Sequence, residues 1–210
     1  LSFQLSVGHV AAADTANHGT LPTCTEEHTM SKQALILVDI QNDYFAPGKW
    51  PLVGAEAAAE KAAQVLKAFR DAGDLVVHIR HEATDADAPF FVAGSEGAQI
   101  HPTVANQANE PVIVKHHINS FRDTELKAVL DQHGIDKLVV VGSMSHMCTD
   151  GIVRAAVDFG YDTTVIHDAC ATLDLEFNGV KVPAAHVHAA FMAALAFGYA
   201  PVVSAAEFLA

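Results

Sequence analysis

Cysteine and positive charge are scarce in this sequence, and each shortage excludes something. Three cysteines, at positions 24, 148 and 170, are too few for a disulfide framework and match no zinc-ligand spacing, so a reducing, cytoplasmic setting is expected. Twelve Lys and Arg stand against 25 Asp and Glu, a formal charge of −13, which argues against nucleic acid or an anionic membrane surface as a partner. No apolar run approaches the roughly 20 residues that a membrane-spanning helix needs. Internal repeats and low-complexity blocks are missing too. Gly94-Ser-Glu-Gly97 is glycine-rich, but no strand precedes it and no Gly-Lys-Ser/Thr follows, so it is not a phosphate loop. What is present is 50% hydrophobic and 18% charged over 210 residues, enough for one full core.

Residues 1–29 carry breakers and little amphipathic period, with no basic stretch followed by an apolar one, so they read as an extension outside the core rather than a secretory signal. A docking arm for a neighbouring subunit is the alternative. The folded domain is expected over 30–210. From Ala34 onward, buried-strand patterns alternate with helical ones. Strands are expected at 34–39, 75–80, 112–115, 137–142, 163–167 and 201–203. Ala62, Val65, Leu66 and Phe69 form a helical stripe closed by Gly73, and Leu126, Val129 and Leu130 form another, started by Asp123 or Thr124 and ended by Gly134. A last helix is expected from about Pro183 to Phe197. Such alternation gives an α/β domain of the Rossmann-like kind, three α/β/α layers around a mostly parallel sheet. Segments 81–111 and 168–182 are expected to be long loops that shape a binding surface.

In a parallel sheet, ligands bind outside the carboxyl ends of the strands. The first strand ends at Asp39, the third at Lys115, and the fourth runs through Gly142-Ser-Met-Ser-His-Met-Cys148 into a helix. An acid, an ammonium and a thiol therefore share one edge. Ser145 is the expected helix cap, and Cys148 falls in the first helical turn, where free amides and the helix dipole lower a thiol pKa. A carboxylate there can take the thiol proton while the lysine keeps it ionised. Singly, Asp39 and Lys115 also read as a strand-end ion pair, and Cys148 as a small buried hydrophobe. His146 is a poor rival base, two residues from Cys148 and on another side of the helix. His78 with His81, and His186 with His188, lack a third ligand, so no metal is expected. His116 and His117 follow Lys115 closely enough to line the same pocket. Tyr44, Phe45, Trp50, Phe121 and Phe177 are candidates for its apolar walls.

Leu37-Val-Asp-Ile-Gln-Asn-Asp-Tyr-Phe45, the Val114-Lys115 strand end and Val141-Gly-Ser-Met-Ser-His-Met-Cys-Thr-Asp150 occur in an order that resembles the isochorismatase-like cysteine hydrolases. The resemblance implies a six-stranded parallel sheet, a triad at Asp39, Lys115 and Cys148, and a cis peptide at Ser143–Met144. It also implies an oxyanion site at the Met144 and Cys148 amides, and a homo-oligomer, dimer or tetramer. The nicotinamidase branch has an Asp-x-His metal motif where this chain has His78-Ile-Arg-His81-Glu-Ala, which disfavours nicotinamide. Many members carry arginine where this chain has His117, which disfavours an acidic substrate. The expected function is hydrolysis of a small amide or carbamoyl C–N bond through a thioester, with no cofactor. The alternatives are a vinyl-ether hydrolase, which Cys148 argues against, and a non-catalytic binding member. A flavodoxin-like nucleotide binder is a further alternative, disfavoured because the first turn, Asp39-Ile-Gln-Asn, lacks glycine.

Overall fold

The computed structural model describes residues 32–210; the expectations for 1–29 lie outside them. The strands are β1 (Gln33–Val38), β2 (Leu75–His81), β3 (Val112–Lys115), β4 (Lys137–Ser143), β5 (Asp162–Ala171), β6 (Leu175–Phe177), β7 (Val180–Val182) and β8 (Val202–Val203). The helices are α1 (Ala55–Ala72), α2 (Leu126–His133), α3 (Cys148–Asp158), α4 (Ala184–Gly198) and α5 (Ala205–Phe208). Six strands form one parallel sheet in the order β3-β2-β1-β4-β5-β8. The order reverses between β1 and β4, and that switch point is where an open α/β sheet offers a crevice.

The sheet is covered on both faces because its strands alternate two apolar sets. Leu35 and Leu37 of β1, with Val139 and Val141 of β4, join the core that includes Ala62, Val65, Leu66 and Phe69 of α1. Ile36 and Val38, with Leu138 and Val140, join the one that includes Leu130 of α2, Ile152 and Val153 of α3, and Leu195 of α4. Each strand thus buries both sides, which is why it reads as an unbroken aliphatic run rather than an alternating one.

Three local readings change. Residues 168–182 are not a loop: β5 continues to Ala171, because Cys170 and Ala171 pair with Gly142 and Ser143 of β4, and β6 and β7 form a hairpin. Its turn is Asn178-Gly179, both at positive φ (50° and 78°), the pair that a two-residue hairpin favours. Neither Asp123 nor Thr124 is the residue before α2; that is Glu125, although Thr124 Oγ1 does accept from the Leu126 amide at 3.4 Å. Likewise Ser145 does not cap α3, whose preceding residue is Met147 with no side-chain cap bond. Ser145 is fully buried and instead ties to the carbonyl oxygen of Ala171 (3.2 Å) and to His188 Nδ1 of α4 (2.8 Å).

Candidate active site

The site begins with backbone geometry at the ends of β1 and β4. Past Val38 the chain turns at Asp39, with φ at 50°, a left-handed conformation that an aspartate tolerates better than most residues. Opposite it, β4 bulges between Val140 and Gly142. Gly142 has φ of 120°, and a Cβ there would overlap the Val38 carbonyl oxygen, so only glycine fits. The Ser143–Met144 peptide is cis. Behind it the turn is closed by the Ser145 amide to Ala171 O (3.0 Å) and by the Met147 and Thr149 amides to Met144 O (3.0 and 3.3 Å). Those bonds use neither the Met144 nor the Cys148 amide, which donate to no backbone carbonyl among the described residues.

This geometry brings the three strand-end residues into contact. Lys115 Nζ lies 2.8 Å from Asp39 Oδ2 and 3.1 Å from Cys148 Sγ. Asp39 and Lys115 are 0% exposed and Cys148 is 3% exposed. Two further acceptors complete the surroundings of the ammonium, His81 Nδ1 at 3.0 Å and the His117 carbonyl oxygen at 3.2 Å. Burial alone would lower the lysine pKa, but the charge of Asp39 and the contact with Cys148 outweigh it and raise it, so Lys115 stays an ammonium. Asp39 Oδ2 is held by the ammonium, and Asp39 and Cys148 place their donor atoms within 4.8 Å of each other.

The thiol differs from expectation. Burial, followed by the charge of Asp39, pushes the Cys148 pKa up, and the pull of Lys115 is the smaller effect. At rest Cys148 is a neutral thiol beside a base, not the thiolate that its helix start suggests. Cys170 is also pushed up, to about 12, chiefly by burial.

The motif after β1 turns out to be the scaffold of the site. Gln41 is fully buried; its Nε2 donates to the carbonyls of His81 (2.8 Å) and Ala98 (2.7 Å), and its Oε1 accepts from the His81 amide (2.8 Å). Asp43, also buried, accepts from the amides of Phe91 (2.7 Å) and Lys49 (3.2 Å). Gln41 and Asp43 thereby fasten the 82–111 segment over the end of the sheet.

Of the pocket candidates, only some arrive at the triad. Tyr44 is buried against Phe91 (ring centroids 4.5 Å apart); burial, then the charge of Asp39, raises its pKa, and it lies within electrostatic reach of Asp39 and Cys148. Trp50 is partly buried and packs against Phe90 (5.0 Å). Phe45 stacks on His101 (3.7 Å) and lines a separate cavity of about 460 Å³, between Asn42, Lys49 and Pro102, that no triad residue lines. Phe121 belongs to the core, stacked on Tyr161 and edge-on to Phe159. Phe177 sits on the β6 strand, 77% exposed, because the hairpin carries it to the surface. The imidazole of His117 faces outward to Asp123 (3.2 Å), and only its carbonyl reaches Lys115. His146 pairs with Thr172 Oγ1 (2.7 Å) rather than Cys148. His81, which the sequence suggests only as a metal ligand, also belongs here, and strand position is the signal for it, since it ends β2 in register with Lys115.

Asp39, His81 and Cys148 do form a group whose donor atoms lie within 4.8 Å of one another, close enough to hold a metal ion. The Lys115 ammonium, however, stands against all three, at 2.8, 3.0 and 3.1 Å. A positive charge already fills the place a cation would take.

The isochorismatase domain family model matches residues 33–207. The chain belongs to this family. Relatives agree along most of its length. The isochorismatase family protein YddQ of Bacillus subtilis is 48% identical over 176 residues, spanning 84% of this chain and 98% of that one. A crystal structure assigned to the isochorismatase hydrolases, from Oleispira antarctica, superimposes with a TM-score of 0.84 at 61% identity, covering 86% of this chain and 97% of that chain. The maleamate amidohydrolase of Pseudomonas putida is 34% identical over 152 residues, 65% of this chain and 71% of that protein. This isochorismatase-family chain is accordingly a hydrolase by kinship, with amidohydrolases among its relatives. Among its described residues, no helix is long and apolar enough to cross a membrane.

Proposed function

We propose that this isochorismatase-family chain is a cysteine-dependent amidohydrolase that cleaves a small amide or carbamoyl C–N bond through a thioester. The observation that carries the reading is the buried carboxylate of Asp39. It lies beside the Cys148 thiol, their donor atoms within 4.8 Å of each other, and a buried lysine 2.8 Å away balances its charge.

Asp39 takes the Sγ proton as sulfur bonds to the substrate carbonyl carbon, so a high resting thiol pKa is no obstacle: deprotonation accompanies attack. The negative charge that develops on the carbonyl oxygen is held by the Met144 and Cys148 amides, which the turn leaves available. The proton on Asp39 passes to the departing nitrogen as the C–N bond breaks, releasing ammonia or an amine and leaving the thioester. Asp39, again a carboxylate, takes a proton from water as the hydroxyl adds to the thioester carbon. The C–S bond then breaks, the acid leaves, and sulfur recovers the proton. Lys115 compensates the charge on Asp39 and on sulfur throughout. The amidohydrolase name of the Pseudomonas relative supports a C–N bond as the target.

The test is a panel of small primary amides, carbamoyl compounds and ureas assayed for released ammonia, with mass spectrometry of the protein quenched during turnover. An acyl adduct on the peptide containing Cys148, and loss of ammonia release in Cys148→Ala but not in Cys170→Ala, is the expected result. An adduct elsewhere, or full activity in Cys148→Ala, would overturn the thiol mechanism.

A further inference from the structure

We propose, building on the amidohydrolase reading, that His81 is a positioning residue: its Nδ1 accepts one proton of the Lys115 ammonium and so holds that ammonium between Asp39 and Cys148. An ammonium has three N–H donors. Three acceptors with good directions surround Lys115 Nζ, namely His81 Nδ1 (3.0 Å), the His117 carbonyl oxygen (3.2 Å) and Cys148 Sγ (3.1 Å). Asp39 Oδ2 lies nearer than any of them, at 2.8 Å, so four acceptors share three protons and the place of the ammonium is set by all of them together. Without the His81 acceptor, nothing on the β2 side among the described residues would hold Nζ between the carboxylate and the sulfur.

The imidazole is built to stay where this role needs it. Both backbone groups of His81 are gripped by the Gln41 side chain at 2.8 Å, its ring packs near Phe91 (centroids 6.1 Å apart), and β2 places it in register with Lys115. Accepting at Nδ1 requires a neutral ring with its proton on Nε2. The groups that face it are Lys115, Asp39, Cys148, His116 and His117. Burial, then the charge of Lys115, lowers the imidazole pKa, and Asp39 opposes them less strongly, so the ring is neutral at pH 7.

The experiment compares His81→Leu with His81→Asn, two side chains of similar size of which only asparagine offers an oxygen near the position of Nδ1. On the best amide of the panel, His81→Leu is expected to lower kcat at least about tenfold with KM changed less than about twofold, while His81→Asn stays within about threefold of the parent. Equal losses in the two variants, tracking a loss of thermal stability, would overturn the proposal. Long-range ¹H–¹⁵N spectra of the full chain, with the His81 signals assigned by their disappearance in His81→Asn, give a reading independent of turnover. The Nε2–H tautomer is expected, with an Nδ1 resonance that moves in Lys115→Met. The Nδ1–H tautomer, or an Nδ1 signal indifferent to Lys115, would overturn it. Should Lys115→Met not fold, the tautomer of the parent protein decides. If no amide is hydrolysed while His81 shows the expected tautomer and response, the amidohydrolase reading fails and the hydrogen bond stands.

Discussion

Asp39→Asn should make Cys148 more ionised and the enzyme far less active, two effects that a simple activated-thiol picture would not combine. The substitution removes one negative charge and little else. Asparagine matches aspartate in shape and tolerates the left-handed conformation, φ 50°, that the chain adopts at this position. The charge matters because Asp39 is the second cause, after burial, of the raised thiol pKa. Donor atoms of the two residues lie within 4.8 Å of each other. At an effective dielectric constant of about 20, unit charges at that separation interact by about 3.5 kcal/mol, a factor of a few hundred in the thiol ionisation constant. With Asp39 neutralised, Lys115 has only sulfur left as an anionic neighbour at 3.1 Å, and the thiolate gains what the carboxylate loses.

Hydrolysis should move the other way. No group would remain to take the thiol proton and hand it to the leaving nitrogen, a loss of about 10²–10⁴ in kcat for a general acid–base residue. The assay is the ultraviolet absorbance of the thiolate followed across pH, taken as the difference between each form and the same form carrying Cys148→Ala, beside ammonia release on the same preparations. In Asp39→Asn the thiolate signal should rise at a clearly lower pH than in the parent. A signal at the parent's pH or above would refute the electrostatic account of the site. Ionisation and activity rising together would refute the assignment of Asp39 as the base.

Gly142→Ala should cost roughly 3 kcal/mol or more, measured by urea denaturation, because its Cβ has no room against the Val38 carbonyl and φ is 120°. Glu110→Gln should destabilise by roughly 2 kcal/mol near neutral pH, since Glu110 accepts charged hydrogen bonds from Arg70 at 2.6 and 2.8 Å. Burial would push the Glu110 carboxyl up, but Arg70, the Gln107 amide and His78 outweigh it and bring its pKa from 4.5 down to about 2. A depressed carboxylate stabilises above its unfolded pKa, so the gap between parent and variant should be constant above that value and close as pH falls toward 2; a gap that widens in acid would contradict it. Prolonged chelation should leave ammonia release intact, because the Lys115 ammonium occupies the space among Asp39, His81 and Cys148. Activity lost to a chelator and restored by zinc or manganese would show that a metal displaces it.

What could be read from the sequence was what depends on neighbours along the chain. The runs at 34–38 and 137–141 are aliphatic because each strand is buried on both faces, and a residue that ends such a run must stand at the sheet's edge; Asp39 and Lys115 follow from that rule. Applied evenly, the rule also yields His81, which ends β2 beside them. The pattern obscures it, because a histidine near another histidine suggests a metal first. Asn178-Gly179 likewise announces a hairpin, and Leu175-Glu-Phe177 and Val180-Lys-Val182 alternate on either side of it, but three residues a side make too short a run to stand out from a loop.

The remaining features are set by partners far away in sequence. A helix start lowers a thiol pKa and is visible from the pattern, whereas the burial that wins at Cys148 comes from packing no local window contains. Aromatic side chains give no sign of whether they line a pocket or fill a core: Tyr44 and Phe121 look alike in sequence, and only the fold sends one to the triad and the other against Tyr161. The polar run Gln41-Asn42-Asp43 is the opposite case. Unpaired, a buried amide and a buried carboxylate would each cost several kcal/mol, about as much as a good core contact gives. Here they cost little, because Gln41 meets the backbone of His81 and Ala98 and Asp43 meets that of Phe91. Those bonds form only once β1, β2 and the 82–111 segment are assembled, and one of them holds the histidine beside the lysine. In this chain, therefore, the residues that make the site specific are polar groups whose burial is affordable in only one arrangement of the backbone, and that arrangement is what a linear reading lacks.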